Sequence, residues 1–222
     1  MKVVIFGATG MVGKGVLLEC LDDARVEHVL LVSRHPTDVS HPKIREIVHA
    51  DFTKFGSVQA PFTNLDACFY CLGVTAVGLS EPQYHHLTYD LTLAAATALA
   101  SASAGRLTFC YVSGEGTDST ECGRSMWARV KGKTENALLR LPFRAAFMFR
   151  PGYIQPLRGI RSKTRWYQAL YDVLGPFYQL LRRLFPTYVT TTVNIGRAMI
   201  HVAATGCSKQ ILSSADINQL AN

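Results

Sequence analysis

Short apolar runs alternate with stretches of helical period through the first 150 residues of the chain. "KVVIF" (2–6) reads as a buried strand, and "MVGKGVLLECLDD" (11–23) as a helix with Val12, Val16, Leu17 and Leu21 on one face. "HVLLVS" (28–33), "IREIVHA" (44–50), "DACFYCLG" (66–73), "RLTFCYVS" (106–113) and "RAAFMFR" (144–150) supply further strands. An Ala-rich helix over roughly 86–104 and a second over roughly 123–139 lie between them. This alternation predicts an α/β protein, a doubly wound parallel sheet covered by helices on both faces. After Pro151 the pattern changes to a Gly/Arg-containing loop and aromatic helical segments broken at Gly175-Pro176. "VNIGRAMIHVAATG" (193–206) then reads as a helix ending at glycine, and "KQILSS" (209–214) as a last edge strand. One domain over 1–222 is expected, with 153–222 forming a small C-terminal helical lobe that covers a substrate site.

Composition narrows this picture. With 222 residues, 48% hydrophobic and 18% charged, the chain can bury one good core but not two. No apolar run reaches the roughly 18–20 residues of a membrane span, and "MKVVIFG" leaves no room for a signal peptide before the first strand, so a cytoplasmic protein is expected. The six cysteines (Cys20, Cys68, Cys71, Cys110, Cys122, Cys207) form no paired metal-binding motifs. Cys68, Cys71 and Cys110 lie in apolar runs and read as reduced, buried thiols. The net charge of +7 is concentrated: residues 150–185 hold seven Arg or Lys against the single acid Asp172. Such a segment suits an anionic ligand, an acidic protein partner or a membrane surface. No nucleic-acid partner is expected, because zinc-finger and RNA-recognition signatures are absent. Within "RWYQALYDVLGPFYQLLRRLFP" (165–186), Trp166, Leu170, Val173, Leu174, Phe177, Leu181 and Leu184 recur mostly at steps of three and four. It reads either as a lobe helix over the substrate pocket or, with the basic residues of 158–186, as a peripheral membrane or partner-docking surface.

The chemistry begins at "VVIFGATGMVGKG". Gly7, Gly10 and Gly13 stand at the junction of the first strand and first helix, where the first glycine permits a tight turn. The second lets backbone approach a pyrophosphate, and the third lets helix and strand pack closely. The helix N-terminus adds N–H donors and partial positive charge, so Thr9, Met11 and Val12 are counted with the glycines as a dinucleotide cradle. An NAD site usually carries an acid at the end of the second strand; this chain has Ser33 and Arg34. Arginine offers a charge-assisted fork to a 2′-phosphate, so NADP(H) is favoured over NAD(H). Asp51 could accept from an adenine amino group, with Phe52 beside it, although Asp also suits turns.

"GATGMVG", "CLGVT" (71–75), "YVSGEG" (111–116), "VKGKTE" (130–135) and "FRPGYIQP" (149–156) occur in the order of the short-chain dehydrogenase/reductases. They resemble the atypical, epimerase-like branch around the human Tat-interacting protein and its bacterial relatives. The resemblance implies a Rossmann-like domain, an NADP(H) cofactor and a reductase-type site on a small-molecule substrate. It also implies roles: Gly73 beside the nicotinamide-side ribose, with Cys71 and Leu72 before it counted as cofactor-binding, Ser113 as the substrate-orienting hydroxyl, Lys131 on the nicotinamide ribose, and Pro151 and Gly152 near the carboxamide. The departure is Trp127. The family motif is Tyr-x-x-x-Lys, in which the lysine one helical turn away lowers the phenol's pKa. "WARVK" keeps the spacing, but an indole N–H is no acid near neutrality.

Three readings follow. The protein is a reductase whose proton comes from Tyr111, Tyr153, Ser113 or a Lys131-bound water, with Tyr153 attractive because it follows the "RPG" turn. Alternatively, it binds NADPH without turnover, as a regulatory or interaction protein with a protein partner. In the third reading the site takes and returns hydride, as in isomerisation. The loop "GVTAVGLSEPQ" (73–83) is expected to rim the pocket. His85 and His86 are expected to diverge, one toward the substrate cleft and one toward solvent.

Overall fold

A computed structural model describes residues 1–56, 60–160, 183–185 and 187–222. In chain order its elements begin β1 (Lys2–Phe6), α1 (Met11–Asp22), β2 (His28–Ser33), β3 (Ile44–Val48) and β4 (Ala67–Tyr70). Next come α2 (Glu81–His85), a π-helical turn (His86–Asp90), α3 (Leu91–Ser103), β5 (Thr108–Val112), α4 (Met126–Leu139) and β6 (Ala145–Arg150). The C-terminal part holds β7 (Tyr153–Gln155), β8 (Val189–Thr191), α5 (Thr192–Thr205), β9 (Ile211–Ser213) and α6 (Ser214–Leu220). Seven strands form one sheet in the order β3-β2-β1-β4-β5-β6-β9. Every pairing in it is parallel. The order reverses direction between β1 and β4. In such sheets that switch point opens a crevice beyond the carboxyl ends of the strands, where ligands bind.

Alternation along β1 explains the two-sided core. Val3 and Ile5 pack on one face with Val16 and Leu17 of α1 and Ile195 and Met199 of α5; Val4 and Phe6 pack on the other with Phe62, Leu99 and Leu138. Both faces are therefore sealed by helices, as an all-parallel sheet requires. The expected face of the first helix holds, with Val16 and Leu17 buried and Val12 and Leu21 packed at its edge.

Elsewhere the boundaries shift. The Ala-rich segment starts earlier than its composition suggests, because Ser80 and Gln83 form a reciprocal capping box that begins α2 at Glu81. It ends at Ala104, which adopts a left-handed conformation with φ 48°. The predicted edge strand forms over Ile211–Ser213, while the short parallel pair β7–β8 and helix α6 were not anticipated. The break at Gly175-Pro176 and most of the aromatic segment 165–186 lie outside the described residues. Two arginines of the basic segment are committed to internal partners: Arg150 to Glu135, and Arg158 to Glu19 and Asp22.

Candidate functional site

Two cavities flank the switch point. The first, about 310 Å³, is lined by Gly7, Ala8 and Thr9 after β1, by the segment from Val32 to Asp38 after β2, and by Phe52 and Leu72. Gly7 has φ +80°, and a Cβ there would come within 2.7 Å of the Leu72 amide nitrogen. A Cβ at Gly13 would come 2.1 Å from the Gly7 carbonyl oxygen, so α1 approaches β1 as closely as backbone allows. Gly10 caps α1 without any side-chain hydrogen bond, so no cap side chain covers the first-turn amides. A close-packed glycine turn, uncapped amides and a groove beside them fit a dinucleotide pyrophosphate.

Of the residues expected to hold the cofactor, Gly7, Thr9, Ser33, Arg34, Phe52 and Leu72 line this groove. Gly10, Met11, Val12 and Gly13 build the turn behind it, and Cys71 is the wall against which Gly7 packs. Cys68 and Cys110 are fully buried, as expected, whereas Cys71 is only partly so. Burial raises all three thiols, with Cys71 pushed up to about 12. Asp51 is not brought to the groove. It is exposed, and its carboxylate accepts from the Thr53 amide (2.9 Å) and hydroxyl (2.5 Å), the turn use that aspartate always offered. Sequence reasoning missed Glu46. Its Oε1 accepts from Ser33 Oγ (3.0 Å) and from the Thr37 amide (2.9 Å), pinning the loop after β2; strand periodicity alone carried no sign of this.

The second cavity, about 350 Å³, lies beyond the ends of β4, β5 and β6. It gathers Ser113, Trp127, Lys131, Pro151 and Gly152, as well as Val74 to Val77 of the expected rim loop. The two cavities approach each other along 72–74, where a Cβ on Gly73 would meet open space. Lys131 Nζ donates to the carbonyl oxygen of Ser113 at 3.0 Å, and Ser113 Oγ shares a 2.8 Å hydrogen bond with Thr117 Oγ1. Because Thr117 donates to Gly114 O (2.7 Å), Ser113 supplies the shared proton in this arrangement. Gly152 is fixed by its amide donating to Ser214 Oγ (2.9 Å), and Ser214 donates onward to Tyr188 O (3.1 Å).

The two tyrosines named as proton donors do not line this cavity. Tyr111 is buried in the sheet core, and burial drives its phenol well above the ordinary value. The Tyr153 hydroxyl, on β7, donates to Gln155 Oε1 at 2.8 Å. Tyr84 and Tyr188 line the cavity instead, and neither stands in a recognisable motif. The two histidines also differ from expectation. Both Nδ1 atoms converge on Asp90, His85 at 3.3 Å from Oδ1 and His86 at 3.0 Å from Oδ2. The wider π-helical turn brings i+5 beside i+4, so neighbours that diverge on an α-helix here share one carboxylate.

Lys131 is electrostatically tuned. Loss of solvent pushes its ammonium down to about 8 from 10.5, opposed by Glu135. The unfolded chain keeps the higher value, so charged Lys131 costs stability below about pH 8 and the cost is relieved as pH rises from 8 toward 10.5. Lys131→Met is therefore expected to raise the melting temperature of the cofactor-free protein at pH 7 by roughly 3–6 °C, with little change above pH 10.5. Binding that needs the ammonium should weaken as pH rises through about 8. Calorimetric scans and cofactor titrations across that range check both.

Residues 3–119 match the NAD dependent epimerase/dehydratase family. The chain belongs to this family. Its fold and motifs place it among the atypical short-chain dehydrogenase/reductases. Similar curated proteins include the mitochondrial protein FMP52 of Debaryomyces hansenii, 26% identical over 207 residues that cover 92% of this chain and 88% of the relative. The mitochondrial protein fmp52 of Emericella nidulans is 30% identical over 176 residues, covering 76% of this chain and 72% of the relative. Among solved structures, a short chain dehydrogenase family protein of Francisella tularensis superposes with a TM-score of 0.64 at 14% identity, over 92% of this chain and 91% of that one. UDP-glucuronic acid 4-epimerase of Bacillus cereus, in complex with NAD, superposes with a TM-score of 0.63 at 12% identity, over 97% and 81%. These two share the fold with the chain. The expectation of a cytoplasmic protein is overturned, because these curated relatives are named as mitochondrial proteins.

Proposed function

We propose that the protein is an oxidoreductase that uses a nicotinamide dinucleotide, NADPH in preference to NADH, to reduce a carbonyl group on a small molecule. The observation that carries this reading is that the groove beside the glycine turn and the cavity holding Lys131 and Ser113 border the same segment, at Leu72 and Val74. When bound, the nicotinamide supplies hydride. The first-turn amides of α1 at Met11 and Val12, brought close by the turn of Gly7, Gly10 and Gly13, would receive the pyrophosphate, Lys131 would hold ribose hydroxyls, and Gly152, whose amide donates to Ser214, would back the carboxamide. Ser113 orients the carbonyl by turning its hydroxyl from Thr117. With Tyr111 and Tyr153 outside the cavity, Thr75, Tyr84, Ser113 and Tyr188 are the hydroxyl-bearing residues among the described ones that line it in place of a phenol at 127.

Arg34 supports the NADPH preference. It lines the groove and is exposed, as is its neighbour His35, whereas an NAD site would put a carboxylate there. Arg34→Ala is expected to weaken NADPH binding about tenfold while changing NADH binding less than twofold. Tighter binding of NADH than NADPH by the unaltered protein would overturn the preference. The rival reading, a regulator that binds NADPH without turning it over, is favoured by Trp127. Cofactor oxidation over a panel of aldehydes and ketones separates the two: turnover by the unaltered protein supports the reductase. Binding without turnover, together with turnover by Trp127→Tyr, supports the regulator.

A further inference from the structure

The second cavity is walled by aromatic side chains from three separate parts of the chain: Tyr84 on α2, Trp127 on the first turn of α4, and Tyr188 before β8. Tyr84 is 2% exposed and so forms part of the wall itself. The Trp127 indole lies against the Gly116 turn, where a Cβ on Gly116 would be 3.4 Å from its Cη2. The rim is apolar as well. Val77 is 72% exposed, Val74 42% and Tyr188 52%, and all three line this cavity. Large apolar side chains left in water around a single cavity mark a surface that a ligand covers.

The charges in the cavity point the same way. Lys131 and Glu115 are the charged side chains that line it among the described residues. The Lys131 ammonium is already directed at the Ser113 carbonyl and, in the function proposed above, holds the cofactor ribose. A sugar nucleotide brings a pyrophosphate of about two negative charges and many hydroxyls. Here its hydroxyls could find Thr75, Ser113 and Tyr188, but its pyrophosphate would meet one committed cation and one repelling carboxylate.

We infer that this cavity takes an uncharged, ring-bearing apolar carbonyl compound rather than a sugar nucleotide, with Trp127 as the stacking platform for the ring. The exchange of phenol for indole at position 127 is then a gain of binding surface: the indole face is larger and accepts an offset-stacked or edge-on ring. The carbonyl end lies toward Ser113 and Lys131, and the ring lies under the Val74–Val77 rim. This assignment rests on the oxidoreductase reading for the carbonyl, whereas the apolar, ring-binding character rests on the cavity walls alone.

The test is calorimetric titration of the full chain with 2-acetylnaphthalene, dihydroxyacetone and UDP-glucose, each with and without saturating NADP⁺. The aryl ketone is expected to bind at least tenfold tighter than either of the others in both conditions. Trp127→Ala should weaken it about tenfold, Trp127→Phe should keep affinity within about threefold of the starting protein, and NADP⁺ affinity should change less than twofold in both variants. Thermal unfolding checks that the variants remain folded. Preferential binding of UDP-glucose, or aryl ketone affinity unchanged in a folded Trp127→Ala, would overturn the inference. Failure of NADP⁺ to bind while the aryl ketone still binds through Trp127 would overturn the oxidoreductase reading and leave the ring-binding site standing.

Discussion

Gly13→Ala is expected to abolish measurable dinucleotide binding and to destabilise the protein by about 3 kcal/mol, lowering its melting temperature by roughly 6–12 °C. The new methyl would sit 2.1 Å from the Gly7 carbonyl oxygen and 2.7 Å from its carbon, and because both are backbone atoms, relief requires α1 to move away from β1. That movement carries the first-turn amides away from the groove. It also disturbs the contact of Gly7 with Leu72 that joins the two halves of the site. Thermal unfolding paired with an NADPH titration checks both parts. A variant with unchanged melting temperature and affinity would mean that the glycine turn is not the cofactor cradle.

Glu135→Ala should have the largest effect on stability. Glu135 is fully buried, and its carboxylate receives Arg150 Nε at 3.0 and 3.1 Å and a further short bond from the same guanidinium, tying α4 to β6. Deleting one partner of a buried pair strands the other charge, at a cost of about 3–5 kcal/mol. Function should suffer as well. Glu135 supports the Lys131 ammonium one helical turn away, and Arg150 precedes the Pro151-Gly152 segment of the cavity. In Glu135→Ala the Lys131 value should fall further below its ordinary range, moving the alkaline loss of cofactor binding to lower pH. Replacing both partners with apolar residues, Glu135→Leu with Arg150→Met, should recover most of the stability but not the support of Lys131. Urea unfolding of the three variants measures this. If Glu135→Ala loses less than about 1 kcal/mol, the ion pair is not holding α4 in place.

The sheet and its cofactor end were legible in the sequence because both rest on local rules. Short continuous apolar runs separated by helical stretches leave few ways to build a parallel sheet, and Gly7, Gly10 and Gly13 announce a backbone geometry that side chains would block. Ser113, Lys131, Pro151 and Gly152 reach one cavity because each stands at or near the carboxyl end of a strand or on the helix packed beside it. What was not legible depends on contacts between distant segments. Asp51 followed the strand as expected, but its own turn consumed its carboxylate. Tyr153 follows the "RPG" turn, yet pairing of β7 with β8 decides where its hydroxyl goes, and three-residue strands leave almost no pattern in a sequence. Tyr84 and Tyr188 enter the cavity through a capping box and a turn anchored by Ser214, neither of which marks those tyrosines as special. His85 and His86 meet on Asp90 only because the helix widens there, a departure from α-geometry that helical spacing cannot forecast.

The central claim is that hydride moves within this site. Its most direct test is incubation of the full chain with NADPH carrying deuterium at the transferable C4 position and an aryl ketone such as 2-acetylnaphthalene, followed by mass spectrometry of the product. The account predicts a secondary alcohol with one deuterium on the carbinol carbon, formed by the unaltered protein and not by Gly13→Ala. Bound NADPH and bound ketone with no deuterium in any product would contradict it.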